Sequence, residues 1–497
     1  MVLAKLSAAL LAAGLALPAL AGSRETELLE QLSARLEKLE ARNVELERQV
    51  KALKDEKDRI AQGLDSPRLS EDEPELTVRL KAVEKDQLNM KRAQKIAESL
   101  AGIKVGASLA TVAQHAYGLP GNIDGGSSQL NYRADLSVEV PLAPIGDIDH
   151  KLFAHLRAGQ GLGLNSAFSN LGFFGSAPNA LAFRASGLNP DDSVTILGEA
   201  WYQAAIPLPF LGFKPRSRET LELTFGKMDI FGFFDQNKVA GDESKQFLNS
   251  LFVHNPLLDA GGEVGVDANG FQPGFVVSYL NFTDKPQPWR LSFGLFGAGD
   301  RGSNYQRSLS SPLVIFQAEK QARLFGGLNG NYRIYAWNRG QGVNFDGRNT
   351  KHTGFGVSVD QRVDDGINVF GRYGKLISGE LPFDQALTLG AEFNGSYWGR
   401  AADAIGIAGA WLQAAKAYRS GANGTLCAAG YDDNGVCTGT ALSFTPQGAE
   451  RVAEIYYRYR LSPQFELSPD FQYVTEGGGN ADAKAVKVFA LRANIAY

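Results

Sequence analysis

The chain has 497 residues, 44% hydrophobic and 21% charged, with a formal net charge of −4. That balance excludes a dedicated nucleic-acid binder, which shows a basic excess or patch. Glycine is the outlier, with 56 residues or about 11% against a usual ~7%; it follows no collagen-like period, so it serves turns, bulges and close sheet packing.

Residues 1–21 read as a secretory signal. Lys5 supplies the positive start, "LSAALLAAGLAL" the apolar stretch, and Ala19 to Ala21 the small-residue cleavage site. The apolar run ends at Pro18, short of the ~20 residues of a spanning helix. No later stretch of eighteen apolar residues follows. The exported chain is therefore either soluble outside the cytoplasm or a transmembrane β-barrel, whose hydropathy signal is weak.

Residues 22–62 form the next segment. Leu29, Leu36, Asn43, Val50 and Lys57 recur at seven, as do Leu32, Leu39, Leu46, Leu53 and Ile60. The two series interleave as the a and d positions of a left-handed coiled coil, which predicts an oligomer; the residues at a and d fit a dimer as well as a trimer. Asn43 at an a position is tolerable where identical amides pair across the bundle, and it sets the register. A break at "GLDSPRLSEDEP" opens residues 63–101, a linker and a second helical stretch carrying Leu76, Leu80, Val83 and Met90.

From residue 102 onwards, helix formers give way to Gly, Tyr, Phe, Val and Thr. In "NYRADLSVEVPL", residues 131–142, Tyr132, Ala134, Leu136, Val138 and Val140 alternate with Asn131, Arg133, Asp135, Ser137 and Glu139. Successive strand side chains point to opposite faces, so one face is apolar and the other charged. "DHKLFAHLRAG" sets Leu152, Ala154 and Leu156 against Lys151, His155 and Arg157. "SVTILGEAWYQAAI" groups Val194, Ile196, Ala200, Tyr202, Ala204 and Ile206 opposite Thr195, Glu199, Trp201 and Gln203. A hairpin turns at Asp364-Asp365-Gly366.

These strands have the ~9 to 11 residues needed to cross a bilayer, with aromatics at their ends. The mid-strand charges are of mixed sign and suit a hydrated lumen. We therefore expect an all-β transmembrane barrel of about sixteen antiparallel strands over 102–497, with charges inward and the apolar face in lipid. The pair Cys427 and Cys437 closes a Gly- and Asp-rich loop, where an exported protein favours a disulfide. Neither the five histidines nor the acid pairs form HExxH, GxSxG or a metal-ligand spacing, so neither an enzyme nor a cofactor is expected.

Several stretches resemble the carbohydrate-selective porin (OprB) family. They are "LGEAWYQAAIPL", "ETLELTFGKMDIFGFFD" with "FLNSLF", "GFGVSVDQRVDDGINVFGRYGK", "LTLGAEFNGSYWGRAADAIGIAG" and "EIYYRYRLSPQFELSPDFQYVTEGGG". The resemblance implies a bacterial outer-membrane barrel of sixteen antiparallel strands that passes sugars and other small hydrophilic solutes by diffusion. The coiled coil departs from the family pattern and resembles the stalks that join a similar porin barrel to a cell-wall-binding domain. It implies a periplasmic oligomer, a trimer by analogy with threefold porin packing, and a possible periplasmic or cell-wall partner. A structural barrel or tether, and a porin for inorganic ions, are the alternatives.

A sugar-passing lumen needs hydroxyl partners and flat apolar faces. The expected pore-lining residues are Arg133, Asp135, Glu139, Arg157, Glu199, Trp201, Gln203, Arg372, Glu392, Trp398 and Arg400. Glu199, Trp201 and Gln203 share one face and supply all three kinds of contact. Trp201 and Trp398 equally fit an interfacial girdle or the filling of the barrel interior.

Overall fold

A computed structural model describes residues 42, 44–52, 54–56, 102–119, 127–174, 177–183, 192–209, 217–259, 270–298, 309–346, 348–421, 444 and 446–497. The signal sequence, the second helical stretch and the Cys427–Cys437 pair lie outside them. The chain divides into two units, Met1–Met90 and Lys91–Tyr497. In the first, residues 42, 44–52 and 54–56 are α-helical, and Val44, Leu46 and Val50 are exposed. These residues do not show a long coiled coil; most of residues 22–62 lie outside the description.

The second unit is a barrel. Its first eight strands are β1 (Lys104–Tyr117), β2 (Ser128–Pro141), β3 (Asp149–Gln160), β4 (Val194–Leu208), β5 (Glu219–Asp229), β6 (Phe271–Asn281), β7 (Trp289–Phe296) and β8 (Leu313–Leu324). The rest are β9 (Leu328–Val343), β10 (Asn349–Asp364), β11 (Ile367–Ser378), β12 (Phe383–Asn394), β13 (Ala404–Ala414), β14 (Ala449–Arg460), β15 (Phe465–Thr475) and β16 (Val486–Ala496). Each pairs antiparallel with its sequence neighbours, and β1 pairs β16, so the sheet closes and leaves no edge. The backbone of Tyr497 completes the seam: its N–H donates to Ala107 (2.7 Å) and its carbonyl accepts from Ala107 (3.1 Å).

The alternation settles which face meets lipid. In β1 to β3, Leu109, Leu136, Leu152 and Leu156 are 39–45% exposed, whereas Asn131 and Arg133 are 2% and 5% exposed. The leucines point outward and the polar set inward, the reverse of a water-soluble sheet. No described helix is long and apolar enough to cross a membrane.

In β4 the expected face grouping holds only after Gly198. Register places His155 opposite Glu199 but Leu156 opposite Leu197, so Gly198 is the extra residue of a bulge. The bulge flips the faces: Val194 and Ile196 lie with the inward set, opposite Gly159 and Arg157, while Leu197 is exposed.

Strand connections differ at the two ends. Asp365 and Gly366 alone join β10 to β11, and 325–327 join β8 to β9. That turn needs left-handed backbone at Phe325, Gly326 and Gly327, with φ of 47°, 78° and 102°, which two glycines supply without a Cβ penalty. The opposite end carries the long connections, 161–193, 230–270 and 415–448. Short turns mark the periplasmic end and long loops the exterior.

Candidate functional site

The lumen is narrowed by the segment that follows β5. Residues 230–259 alternate at neither 2 nor 3.6, yet they are rich in Phe and Leu. A connection this apolar buries itself, and here it packs inside the barrel. Ile230, Phe234, Phe247, Leu251, Phe252, Leu257 and Leu258 are buried in one cluster with inward Ile315, Tyr335, Trp337, Phe370, Tyr456 and Val488. Phe247 sits 5.3 Å from Phe252, 5.5 Å from Phe370 and 5.1 Å from Tyr456, centroid to centroid. Burying each such side chain contributes roughly 1.5–3 kcal/mol.

Polar clamps from the wall fix the path of this inner loop. Arg372 of β11 is ion-paired with Asp235 at 3.2 Å and donates to the carbonyls of Phe252 (2.6 Å) and Ala240 (2.9 Å). Asp235 also accepts from the Tyr335 hydroxyl (2.7 Å) and the Asn255 N–H (2.6 Å). Across the lumen, Arg492 donates to the carbonyls of Glu243 (2.6 Å) and Gln246 (2.8 Å). Glu454 accepts from the N–H groups of Leu248 (2.5 Å) and Asn249 (3.0 Å). Arg339 holds the carbonyl of Leu258 at 2.7 Å. A second insertion is held by amides: Asn179 donates to Asn131 (2.7 Å), and Gln114 and Gln472 donate to the carbonyl of Pro178 (2.8 and 3.0 Å).

The inward face of β1 to β4 carries a ladder of alternating charge. Glu139 bridges Lys104 (2.8 Å) and Lys151 (2.7 Å). Asp135 accepts from Arg133 (2.8 Å), Arg157 (2.7 Å) and His155 (2.8 Å). Arg133 also reaches Glu243 of the inner loop at 2.7 Å. Beside this ladder, Trp201 stacks on Phe153 at 4.7 Å and 22°, with Phe233 edge-on at 5.9 Å and the Lys151 ammonium 5.5 Å above its ring. The Trp201 indole N–H donates to Glu199 (3.1 Å), and Gln203 donates to Thr224 (3.0 Å).

The structure thus brings Arg133, Asp135, Glu139, Arg157, Glu199, Trp201 and Gln203 onto one continuous inward wall. It places the remaining four elsewhere. Arg372 is inward but sealed beneath the inner loop. Glu392 is inward, 3.2 Å from Arg458 and bonded to the Tyr456 hydroxyl (2.5 Å). Trp398 lies in the short 3-10 turn Gly395–Trp398, where its indole N–H donates to outward Tyr457 (3.1 Å). Arg400 lies beside it, paired with Asp403 (2.5 Å) over the Tyr459 ring. Both therefore sit at the short-turn rim, in the interfacial aromatic belt.

Sequence reasoning missed the inner loop's own contributions, Phe231, Phe233 and His254. Phe231 stacks on His254 at 3.7 Å, and burial pushes that imidazole down to about 3, so it is neutral at ordinary pH. The readable signal was "IFGFFDQNKVAGDESKQFLNSLFVHNPLL", an apolar stretch without strand alternation between two strands. Among the described residues, no group of three or more His, Cys, Asp or Glu could hold a metal ion.

A closed sixteen-stranded barrel with a charged, loop-constricted lumen defines an outer-membrane porin. Residues 157–497 match the model of the carbohydrate-selective porin, OprB family, and the chain belongs to that family. Its role is accordingly passive transport rather than enzymatic catalysis. Among solved structures, the high-pH structure of Pseudomonas putida OprB aligns with a TM-score of 0.60 at 18% identity, covering 81% of this chain and 96% of that one. Its low-pH structure gives 0.44 at 13% identity, covering 81% and 95%. A mutant Rh. blastica porin gives 0.43 at 9%, covering 80% and 100%. A search for curated relatives finds no match.

Proposed function

We propose that the barrel passes neutral sugars by diffusion along the wall formed by Glu139, Lys151, Arg157, Glu199, Trp201 and Gln203. The parallel Phe153–Trp201 pair carries this reading, because it offers a flat apolar face bordered by charged and amide groups. Pyranose rings present one apolar face and equatorial hydroxyls, and such a border matches both. Each contact is weak on its own, as release requires. The balanced signs on the ladder disfavour an anion pore, which would be lined by Lys and Arg. Liposome swelling with a sugar series tests the proposal: graded swelling supports it, whereas no swelling together with phosphate-blocked currents favours the inorganic-ion pore.

The assembly is proposed to be a trimer held partly by residues 22–62 in the periplasm, where an even strand number returns both barrel ends. Exposed Leu46 and Val50 occupy d and a positions of the heptad pattern, which supports pairing with further copies. Deleting residues 22–62 should weaken the oligomer in mass measurements while preserving conductance. A full-length monomer at micromolar concentration overturns the stalk reading and leaves a periplasmic or cell-wall partner as the role of the heptads.

A further inference from the structure

On the outer surface, at the long-loop end of the seam between β15, β16 and β1, one cation stands without a counter-charge among the described residues. Register puts Lys487 directly opposite Tyr473 on one side and Tyr117 on the other. All three are exposed, at 58% for Tyr117 and 38% for Tyr473. Among the described residues, the Lys487 ammonium and both phenol hydroxyls make no hydrogen bond or ion pair. By contrast, Arg451, the next outward cation along this rim, is paired with Glu476.

The surroundings are built. Phe489, two residues further along the same outward row, packs against Tyr117 (5.8 Å) and Phe471 (4.9 Å), and Leu491 continues the apolar strip towards mid-membrane. His115 closes the other flank, 4.4 Å from Tyr117 and hydrogen-bonded to Ser128 (2.6 Å). The patch therefore has two zones: a cation between two hydroxyl donors at the interface, and an aromatic and aliphatic track beneath it. Directly opposed strand neighbours lie about 5 Å apart, so the three Cβ atoms span about 10 Å, close enough for these long side chains to converge on one headgroup.

Long loops put this end in the outer leaflet. A bare ammonium at a membrane interface is matched by a lipid phosphate. Phenol hydroxyls add donors to phosphate or sugar oxygens. We propose that Lys487, Tyr117 and Tyr473 bind the phosphorylated glycolipid of the outer leaflet, with its phosphate on Lys487 and acyl chains along Phe489, Leu491 and Phe471.

The test measures binding of three lipids to the delipidated full chain in detergent by native mass spectrometry. These are diphosphorylated lipid A, its dephosphorylated form and phosphatidylglycerol. Diphosphorylated lipid A should bind about tenfold more tightly than either of the others, and Lys487→Gln should remove that preference. Lys320→Gln, at the opposite rim, should retain it, and heat-modifiable gel mobility verifies that each variant is folded. Tyr473→Phe should lower the preference partially and serves if Lys487→Gln misfolds. Equal binding of phosphatidylglycerol, or an unchanged preference in Lys487→Gln, or in Tyr473→Phe where that variant serves, would overturn the proposal.

Discussion

Replacing Arg372 by alanine is the sharpest way to ask whether the inner loop is a fixed constriction. The guanidinium is 2% exposed and holds three points of the loop together: the Asp235 carboxylate, the Ala240 carbonyl and the Phe252 carbonyl. Truncation leaves Asp235 buried, with only the Tyr335 hydroxyl and the Asn255 N–H for support. Breaking a buried pair in this way costs about 3–5 kcal/mol. Every ~1.4 kcal/mol is tenfold, so the ratio of docked to released loop falls by about 140- to 4,000-fold. None of that energy resides in the strand ladders, which are backbone hydrogen bonds. Heat-modifiable mobility should therefore stay intact while single-channel conductance in planar bilayers rises and grows noisy. Arg372→Lys should fall between, because an ammonium keeps the charge but loses the planar fork that serves several acceptors at once. An unchanged conductance distribution in a folded Arg372→Ala barrel would refute the clamp.

Trp201→Ala should slow swelling in sugars several-fold while small-ion conductance holds or rises, since the change removes a stacking face and widens the lumen; equal losses for sugar and ion would count against the sugar wall. Glu454→Gln keeps one acceptor for the Leu248 and Asn249 N–H groups and should loosen the loop by about 1 kcal/mol, read as a smaller rise in conductance noise than Arg372→Ala gives. His254 is neutral in the docked loop, with its pKa lowered to about 3, whereas a released imidazole titrates near 6.5. The released state binds the extra proton, so docking is favoured above about pH 6.5 and weakens as pH falls from there towards 3. Conductance noise should grow across that window and grow less in His254→Phe. Cys427 and Cys437 should give no free thiol on labelling of the unreduced, denatured chain, and two reactive thiols would exclude the proposed disulfide.

Much of the fold was legible because strand alternation reports a boundary between two media. The apolar set of β2 carries no charge and its opposite set carries three, a contrast that survives any choice of register. The hairpin at Asp365-Gly366 was equally plain, since turn chemistry is local. Alternation failed at Gly198, where a single extra residue exchanged the faces of Val194 and Ile196. A bulge is decided by the partner strand, and β3 lies more than thirty residues away in sequence.

The candidate site was less legible, because an inward charge on a barrel can meet water or a loop, and alternation does not distinguish the two. Arg157 and Arg372 look alike in sequence, each mid-strand among apolar neighbours. Arg157 pairs with Asp135 on the open wall, whereas Arg372 is sealed against carbonyls of a segment more than 110 residues earlier. What separates them is the inner loop, whose phenylalanines must be hidden and whose backbone carbonyls must then be met by donors inside the barrel. Residues 230–259 have too few helical turns to satisfy their own carbonyls, so the wall supplies arginines: 339, 372, 458 and 492 all donate to that segment. The apolar loop and the arginines opposite it are thus one feature, and each half explains the other. Inward charges that the loop does not claim, such as Glu139, Lys151 and Arg157 on β2 and β3 or Glu222 and Arg290 on β5 and β7, are left facing the lumen, and the proposed sugar wall draws on those of β2 and β3 where they adjoin Glu199, Trp201 and Gln203 of β4.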